Sequence, residues 1–173
     1  TTEIYTLSLH DALPILIQQA TSSPERDPGK PAGYLAGDAL ALPLADDSVD
    51  IVTGLTLALY PPDRYRTFIR EGMRVARGLV VYVGIPPGWY GGELFDVIEG
   101  FERVDDVVDR IFIEEFGFSH QDIESVQGYG TVDHIVSTYG FIFGRRVIEH
   151  LKKVGKTSIR WRFRVYRKGR TVT

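Results

Sequence analysis

The 173-residue chain contains no cysteine. That excludes a disulfide framework, a thiolate nucleophile and any cysteine-ligated metal centre. Long apolar runs are missing as well: charges or Pro/Gly pairs interrupt each one, so no window approaches a membrane span. A third absence concerns cofactors. An α/β domain that binds a nucleoside should open on a strand ending in a Gly-rich turn, with an acidic residue closing the next strand. Neither stands before residue 34. Paired nucleophiles and bases are also lacking, so His10 beside Asp11 reads as surface rather than as part of a dyad. Asp105, Asp106 and Asp109 have no glycine turn or histidine partner nearby; they read as the solvated side of a helix, and no metal site is expected.

What is present is the make-up of an ordinary soluble globular protein, 43% apolar and 25% charged. The length suits one domain around one core, and a cytoplasmic location is the default expectation. The net charge of −3 hides a segregation: from Arg145 to Arg170 there are eleven Lys/Arg against one acidic residue, Glu149. Such a stretch either forms a solvated face or meets a polyanion.

The chain is organised around Tyr34 to Leu59. Tyr34–Ala36 is a short apolar run that stops at Gly37, and Asp50–Thr53 is a β-branched core strand. Runs of this kind suit parallel strands covered on both faces. Asp38 then falls just past the carboxyl end of the first strand and Gly54 just past the second, on the edge where open α/β sheets bind ligands. Pro61-Pro62 opens a helix to Ala76, with Tyr65, Phe68, Ile69, Met73 and Ala76 at helical spacing. Gly78 is expected to end it, and Leu79–Val83 to form the next strand.

GDALALPLADDSVDIVTGLTLAL, followed by REGMRVARGLVVYV, resembles the middle of a class I S-adenosylmethionine-dependent methyltransferase, of the methyltransferase type 11 kind. The likeness runs from about Ala36 to Val83. It implies that Asp38 and the backbone at Ala39 bind the adenine end of S-adenosylmethionine, and that Thr53 to Thr56, chiefly Thr53 and Gly54, flank the methionine and sulfonium end. It further implies an incomplete doubly wound, Rossmann-like sheet, mostly parallel with an antiparallel C-terminal strand. SLHDALPI resembles the translated read-through of a sequencing-library adapter, which makes residues 1–15 a doubtful segment and 16–173 a partial domain. With no Gly-rich turn to cradle the amino-acid moiety, weak or absent cofactor binding is expected.

Beyond the likeness, Gly84 to Gly92 combines glycines with Trp89 and Tyr90. It is either a turn whose aromatics pack or a loop over a substrate, with both rings offering apolar or cation-binding surfaces. Glu93 to Phe116 reads as helix with a break near Gly100, Ile123–Val126 as a short strand, and Thr131 to His150 as one long helix. Gly140 and Gly144, four apart, would allow a close neighbour on that helix. His134 near its start is either a partly exposed helix residue or a proton acceptor for a substrate hydroxyl or amine. Lys156 to Arg167 alternates strictly, Ile159, Trp161, Phe163 and Val165 against Arg160, Arg162 and Arg164, as a strand with one wet side at or near the sheet edge. Three functions follow as candidates: methyl transfer to a small molecule, nucleic-acid binding through the basic C-terminal face, and a non-catalytic structural role.

Overall fold

A computed structural model describes residues 37–57, 59, 61–98 and 107–169. The strand at Tyr34–Ala36, all readings on earlier residues, the break at Gly100, Asp105, Asp106 and the tail beyond Gly169 lie outside them. Four strands are present, β1 (Val49–Leu55), β2 (Ala76–Gly84), β3 (Ser119–Gly128) and β4 (Ser158–Gly169). They hydrogen-bond in the order β1-β2-β4-β3. β1 and β2 are parallel, with Ile51 opposite Leu79 and Thr53 opposite Val81. Ser119 bonds to Arg167, Asp122 to Arg164 and Glu124 to Arg162. The numbering rises along β3 as it falls along β4, so those two strands are antiparallel. The chain is thus an α/β fold on an open sheet, parallel where the strands share a helical crossover and antiparallel at its C-terminal strand.

The described residues divide into two compact units, one from those between 37 and 84, 110–120 and 166–169, the other from 85–98, 107–109 and 121–165. In the first unit, helix α1 (Arg64–Val75) is the crossover between β1 and β2. Its buried face is Tyr65, Phe68, Ile69, Gly72 and Val75. Gly72 rather than Met73 faces the sheet, because a Cβ there would already lie 3.5 Å from Val52 and 3.6 Å from Val80. Gly78 does not end the helix. α1 passes straight into β2 at Ala76, whose backbone is already extended, and Val75 and Ala76 are fully buried. Burial of that junction fixes the boundary without a glycine cap, and Gly78 sits inside β2, where a side chain would strike the Asp50 carbonyl at 2.9 Å.

The stretch before β1 is tied to the end of α1 by charge. Arg74 donates to the carbonyls of Leu42 and Leu44 at 3.0 and 2.8 Å, to Asp46 at 2.6 Å and to Glu71. Glu71 in turn accepts the Leu42 N–H at 2.8 Å. The Arg74 guanidinium holds the Glu71 carboxyl below the usual glutamate range, helped by the Leu42 N–H and against partial burial.

In the second unit the expected single helix after Thr131 is two, α2 (Val132–Phe143) and α3 (Arg145–Val154). Gly144 separates them at φ +82°, a conformation few other residues adopt. Gly140 has the close-packing role its spacing suggested: a Cβ there would come within 2.4 Å of Ile148 on α3. Thr131 caps α2 by accepting the His134 N–H. Leu94, Ile98, Ile135, Tyr139, Val147, Leu151 and Ile159 form this unit's core. Glu93 to Val97 lies in a 3₁₀ helix, and helical structure resumes at Val107, turning to a π-helix over Arg110–Glu115.

Two expectations about the last strands need correction. β3 is longer than Ile123–Val126 and ends the sheet among the described residues; β4 lies directly beside it, near the edge as its alternation indicated. Nor is the arginine side of β4 uniformly wet. Tyr166, on that side, is 1% exposed, its ring stacked on Tyr82 and tilted against Phe112 at centroid distances of 5.8 and 4.6 Å. An aromatic cluster therefore ends the alternation that the arginines begin.

Replacing Glu71 by Gln is expected to lower stability near neutral pH and to flatten its fall in acid. A carboxyl whose pKa is depressed by folding adds stability above the unfolded value, about 4.3, and loses it as pH drops through the folded value. Urea titrations between pH 3 and 7 would check this; parallel curves for the two proteins would contradict it.

Candidate functional site

In the first unit, Asp38 stands on an exposed turn. Its Oδ1 accepts the Leu40 N–H at 2.9 Å and its carbonyl accepts the Ala41 N–H at 2.9 Å. Ala39 beside it is 1% exposed, and the turn closes where Gly37 packs on Pro43. A buried alanine and a bridged backbone thus present a carboxylate whose Oδ2 has no partner among the described residues. A free carboxylate oxygen accepts hydrogen bonds from amino or hydroxyl groups.

Thr53 and Gly54 both lie inside β1, so Gly54 is not beyond the strand as its sequence position suggested; parallel pairing with β2 carries the ladder on to Leu55, opposite Val83. Thr53 is half-buried, on the face opposite Val52 and Gly54. Gly54 is glycine for a packing reason, since a Cβ would meet the Phe68 ring at 2.8 Å and Tyr82 at 3.2 Å.

The turn after β1 is fixed by groups that no motif marked. Thr56 takes φ +46°, unusual for a β-branched residue, and its N–H donates to the Val83 carbonyl at 2.7 Å. The hydroxyls of Tyr65 and Tyr82 both donate to the Leu57 carbonyl, and Leu59 N–H reaches the Tyr65 oxygen at 3.4 Å. Burial, reinforced by Tyr65, pushes the Tyr82 hydroxyl well above the tyrosine range, so it stays a neutral donor. Strained backbone held at a strand's carboxyl end is a common feature of binding sites. The aromatic spacing of Tyr65 and Tyr82 reads as core, and core it is; only the fold brings the two hydroxyls onto one carbonyl.

In the second unit the other candidates are connected by rings. Tyr129 packs edge-on to His134 at 5.9 Å and to Tyr139 at 5.6 Å. Tyr139 meets Phe143 at 5.3 Å, and Phe143 meets Tyr90 at 5.9 Å. Tyr90 and His134 therefore end one continuous aromatic row. Among the described residues, Tyr139 Oη and the Nε1 of Trp161, whose ring lies beside Tyr139, are buried without a hydrogen-bond partner. Burial and the neighbouring Tyr129 raise the Tyr139 pKa, which keeps that hydroxyl protonated.

His134 is exposed, and its Nδ1 lies 2.8 Å from the Tyr129 carbonyl. A carbonyl only accepts, so Nδ1 is the donor of this contact and, in the neutral ring, Nε2 holds the lone pair. Trp89 is half-buried, and its ring is covered by the protein's own cation, the Arg162 guanidinium at 4.4 Å. Arg162 also bonds to Glu124 at 2.7 Å. Arg164 bonds to Asp122 and to Asp109, the described member of the aspartate group. Two of the five cationic residues of β4, Arg162 and Arg164, are thereby matched from β3. Among the described residues no group of three His, Asp or Glu is placed to hold a metal ion, and no helix is long and apolar enough to cross a membrane.

Replacing Tyr65 or Tyr82 by Phe should each cost about 1 kcal/mol, since the Leu57 carbonyl keeps one donor. The double variant should lose more than the two together, because a part-buried acceptor is then orphaned. Chemical denaturation of the three variants measures the difference, and simple additivity would speak against a shared acceptor.

No protein-family model matches this sequence, and no curated protein is similar to it. Similar solved structures exist. A SAM-dependent methyltransferase of Methanosarcina mazei aligns over 97% of this chain and 81% of its own at 12% identity and a TM-score of 0.55. The YcgJ protein of Bacillus subtilis aligns over 94% and 81% at 15% identity, TM-score 0.53. A candidate methyltransferase of Bacillus halodurans aligns over 97% and 82% at 17% identity, TM-score 0.51. With its sheet order, its parallel β1/β2 pair and its antiparallel C-terminal strand, the chain has the fold of the class I methyltransferases.

Proposed function

We propose that this protein takes part in S-adenosylmethionine-dependent methyl transfer to a small molecule. The observation that carries the reading is the fold, together with the Asp38 turn in the sequence stretch that resembles the methyltransferase family. The residues present fit the adenosyl group by the chemistry of the donor set. The open Oδ2 of Asp38 would accept from the amino or hydroxyl groups of a nucleoside, with the rigid Ala39 backbone beside it. Thr53 and the pinned turn at Thr56–Leu57 would border the amino-acid end.

When bound, S-adenosylmethionine supplies a methyl group already activated on a sulfonium. The remaining task of the protein is alignment, which supplies most of the rate of such a displacement. His134, through Nε2, would take a proton from an acceptor hydroxyl or amine. Within the second unit, Tyr90 and Trp89 remain the aromatic side chains proposed for contact with a substrate.

The nucleic-acid reading gains no support, because Arg162 and Arg164 are engaged by carboxylates and Trp89. A polyanion would have to displace those carboxylates first.

Calorimetric titration with S-adenosylhomocysteine tests the proposal. Weak binding, micromolar or poorer, is expected, and Asp38→Ala should reduce it about tenfold, the value of a lost charge-assisted hydrogen bond. Equal affinity in the variant would remove Asp38 from the cofactor site, and no binding by the wild type at millimolar ligand would count against the function for this chain.

A further inference from the structure

The exposed side of α2 changes character along its length. His134, Ser137 and Phe141 recur at helical spacing on that side, and all three are exposed. In its first two turns the side is polar, as a helix face turned to solvent should be. The last turn is different: Phe141 is 92% exposed and Ile142 60%, and Phe141 is the most exposed large apolar side chain among the described residues. The corner that carries this pair is held from beneath. Gly140 packs closely on Ile148, Phe143 lies against the ring of Tyr139, and Val147 is fully buried. The Gly144 N–H donates to the Gly140 carbonyl at 2.9 Å and the Gly144 carbonyl accepts the Ile148 N–H at 3.3 Å. A fixed helix-glycine-helix corner thus projects two apolar side chains outward.

Charge begins where the apolar pair ends. The exposed residues at the start and along the outer side of α3 include Arg145, Arg146, Lys152 and Lys153, against one carboxylate, Glu149. Glu149 pairs with Arg145 at 2.7 Å, but the two side chains are 91% and 62% exposed, and an ion pair so open to water holds weakly. The apolar residues Val147 and Leu151 of α3 are committed to the core, so the helix turns its cations outward. Arg145 and Arg146 follow Ile142 across Gly144 alone and Phe143, which puts the first two cations on the same corner as the apolar pair.

We propose that this corner binds the surface of an anionic lipid bilayer, with Phe141 and Ile142 entering the boundary between headgroups and acyl chains and the cations of α3 lying among the headgroup phosphates. Exposed apolar residues bordered by Lys and Arg are the two signals that reversible attachment to such a surface needs together, each being weak alone. Shape favours lipid over a folded partner. A fluid bilayer closes around a protruding side chain without a matching pocket, whereas a protein partner of ordinary size must offer a complementary surface of about 800 Å². Nucleic acid shares the charge preference but gives an isoleucine no base to stack on. The contact is peripheral and involves no crossing of the membrane.

Co-sedimentation of the full chain with vesicles tests this. Vesicles of equimolar phosphatidylcholine and phosphatidylglycerol should carry the protein down, and vesicles of phosphatidylcholine alone should leave most of it in solution. Phe141→Ser should weaken binding to the mixed vesicles about tenfold, the effect of withdrawing a side chain of this size from an apolar medium, and Phe141→Trp should retain it. Its exposed position means that Phe141→Ser should unfold in urea as the wild type does. Arg145→Gln and Arg146→Gln should each weaken binding about fivefold at low salt and little at high salt, where exposed charges are screened. Since the chain lacks cysteine, Phe141→Cys can carry an environment-sensitive fluorophore, whose emission should move to the blue on adding mixed vesicles. Asp133→Cys, two turns back on α2, should show no such change. Absence of co-sedimentation with the mixed vesicles, equal binding to both vesicle types, binding indifferent to Phe141→Ser, or the same emission change at both cysteines would each overturn the proposal. Self-association that disappears in Phe141→Ser, without any vesicle binding, would assign the corner to a protein interface instead. None of these readouts depends on cofactor binding.

Discussion

Arg74 is the residue on which the first unit turns. Its guanidinium satisfies two backbone carbonyls and two carboxylates of the stretch between Leu42 and Glu71. That stretch has no ladder of its own before β1, so its polar groups need partners from elsewhere. Arg74 and Glu71 supply them from the last turn of α1, and the same contacts set where β1 begins. They also anchor the turn that presents Asp38, since Leu42 follows that turn directly. A lysine could not replace this guanidinium, because the several fixed donors of a planar fork are in use at once.

A second constraint works at the other end of β1. Phe112, Tyr82 and Tyr166 pack through the core of the first unit, and Tyr82 and Tyr65 turn their hydroxyls to one carbonyl. Buried hydroxyls need a partner, and the turn at Leu57 provides it. The core thus holds the backbone of the candidate site in a conformation that Thr56 would not adopt unaided. Rigidity at that point is what a methyl-transfer site would require, since its chemistry rests on alignment rather than on a catalytic group.

The second unit shows the opposite economy of charge. Two arginines of the basic strand β4 pair with the two carboxylates of β3, so part of an apparent polyanion-binding surface becomes cross-strand pairs. Trp89 is occupied in the same way, its ring serving Arg162. The buried Tyr139 and Trp161 polar atoms, without a partner among the described residues, mark where the aromatic row between His134 and Tyr90 is least satisfied, which a sequence pattern cannot reveal because it depends on which rings meet.

Local pattern determined a good deal of this protein. Helical spacing from Tyr65 to Ile69 and β-branched runs at Ile51–Thr53 and Val80–Val83 place a helix between two parallel strands, as found. The likeness carried by GDALALPLADDSVDIV points to the fold that the structure has. These are short-range signals, in which burial repeats with the period of the element. What only the tertiary structure decided is everything that depends on a distant partner: the glycine-free end of α1, Gly54 lying within β1 rather than past it, the break at Gly144 and the pairing of the β4 arginines. In each case a residue's role was set by a group dozens of positions away, or by the space a neighbouring helix left, and neither is written in the spacing of the sequence around it.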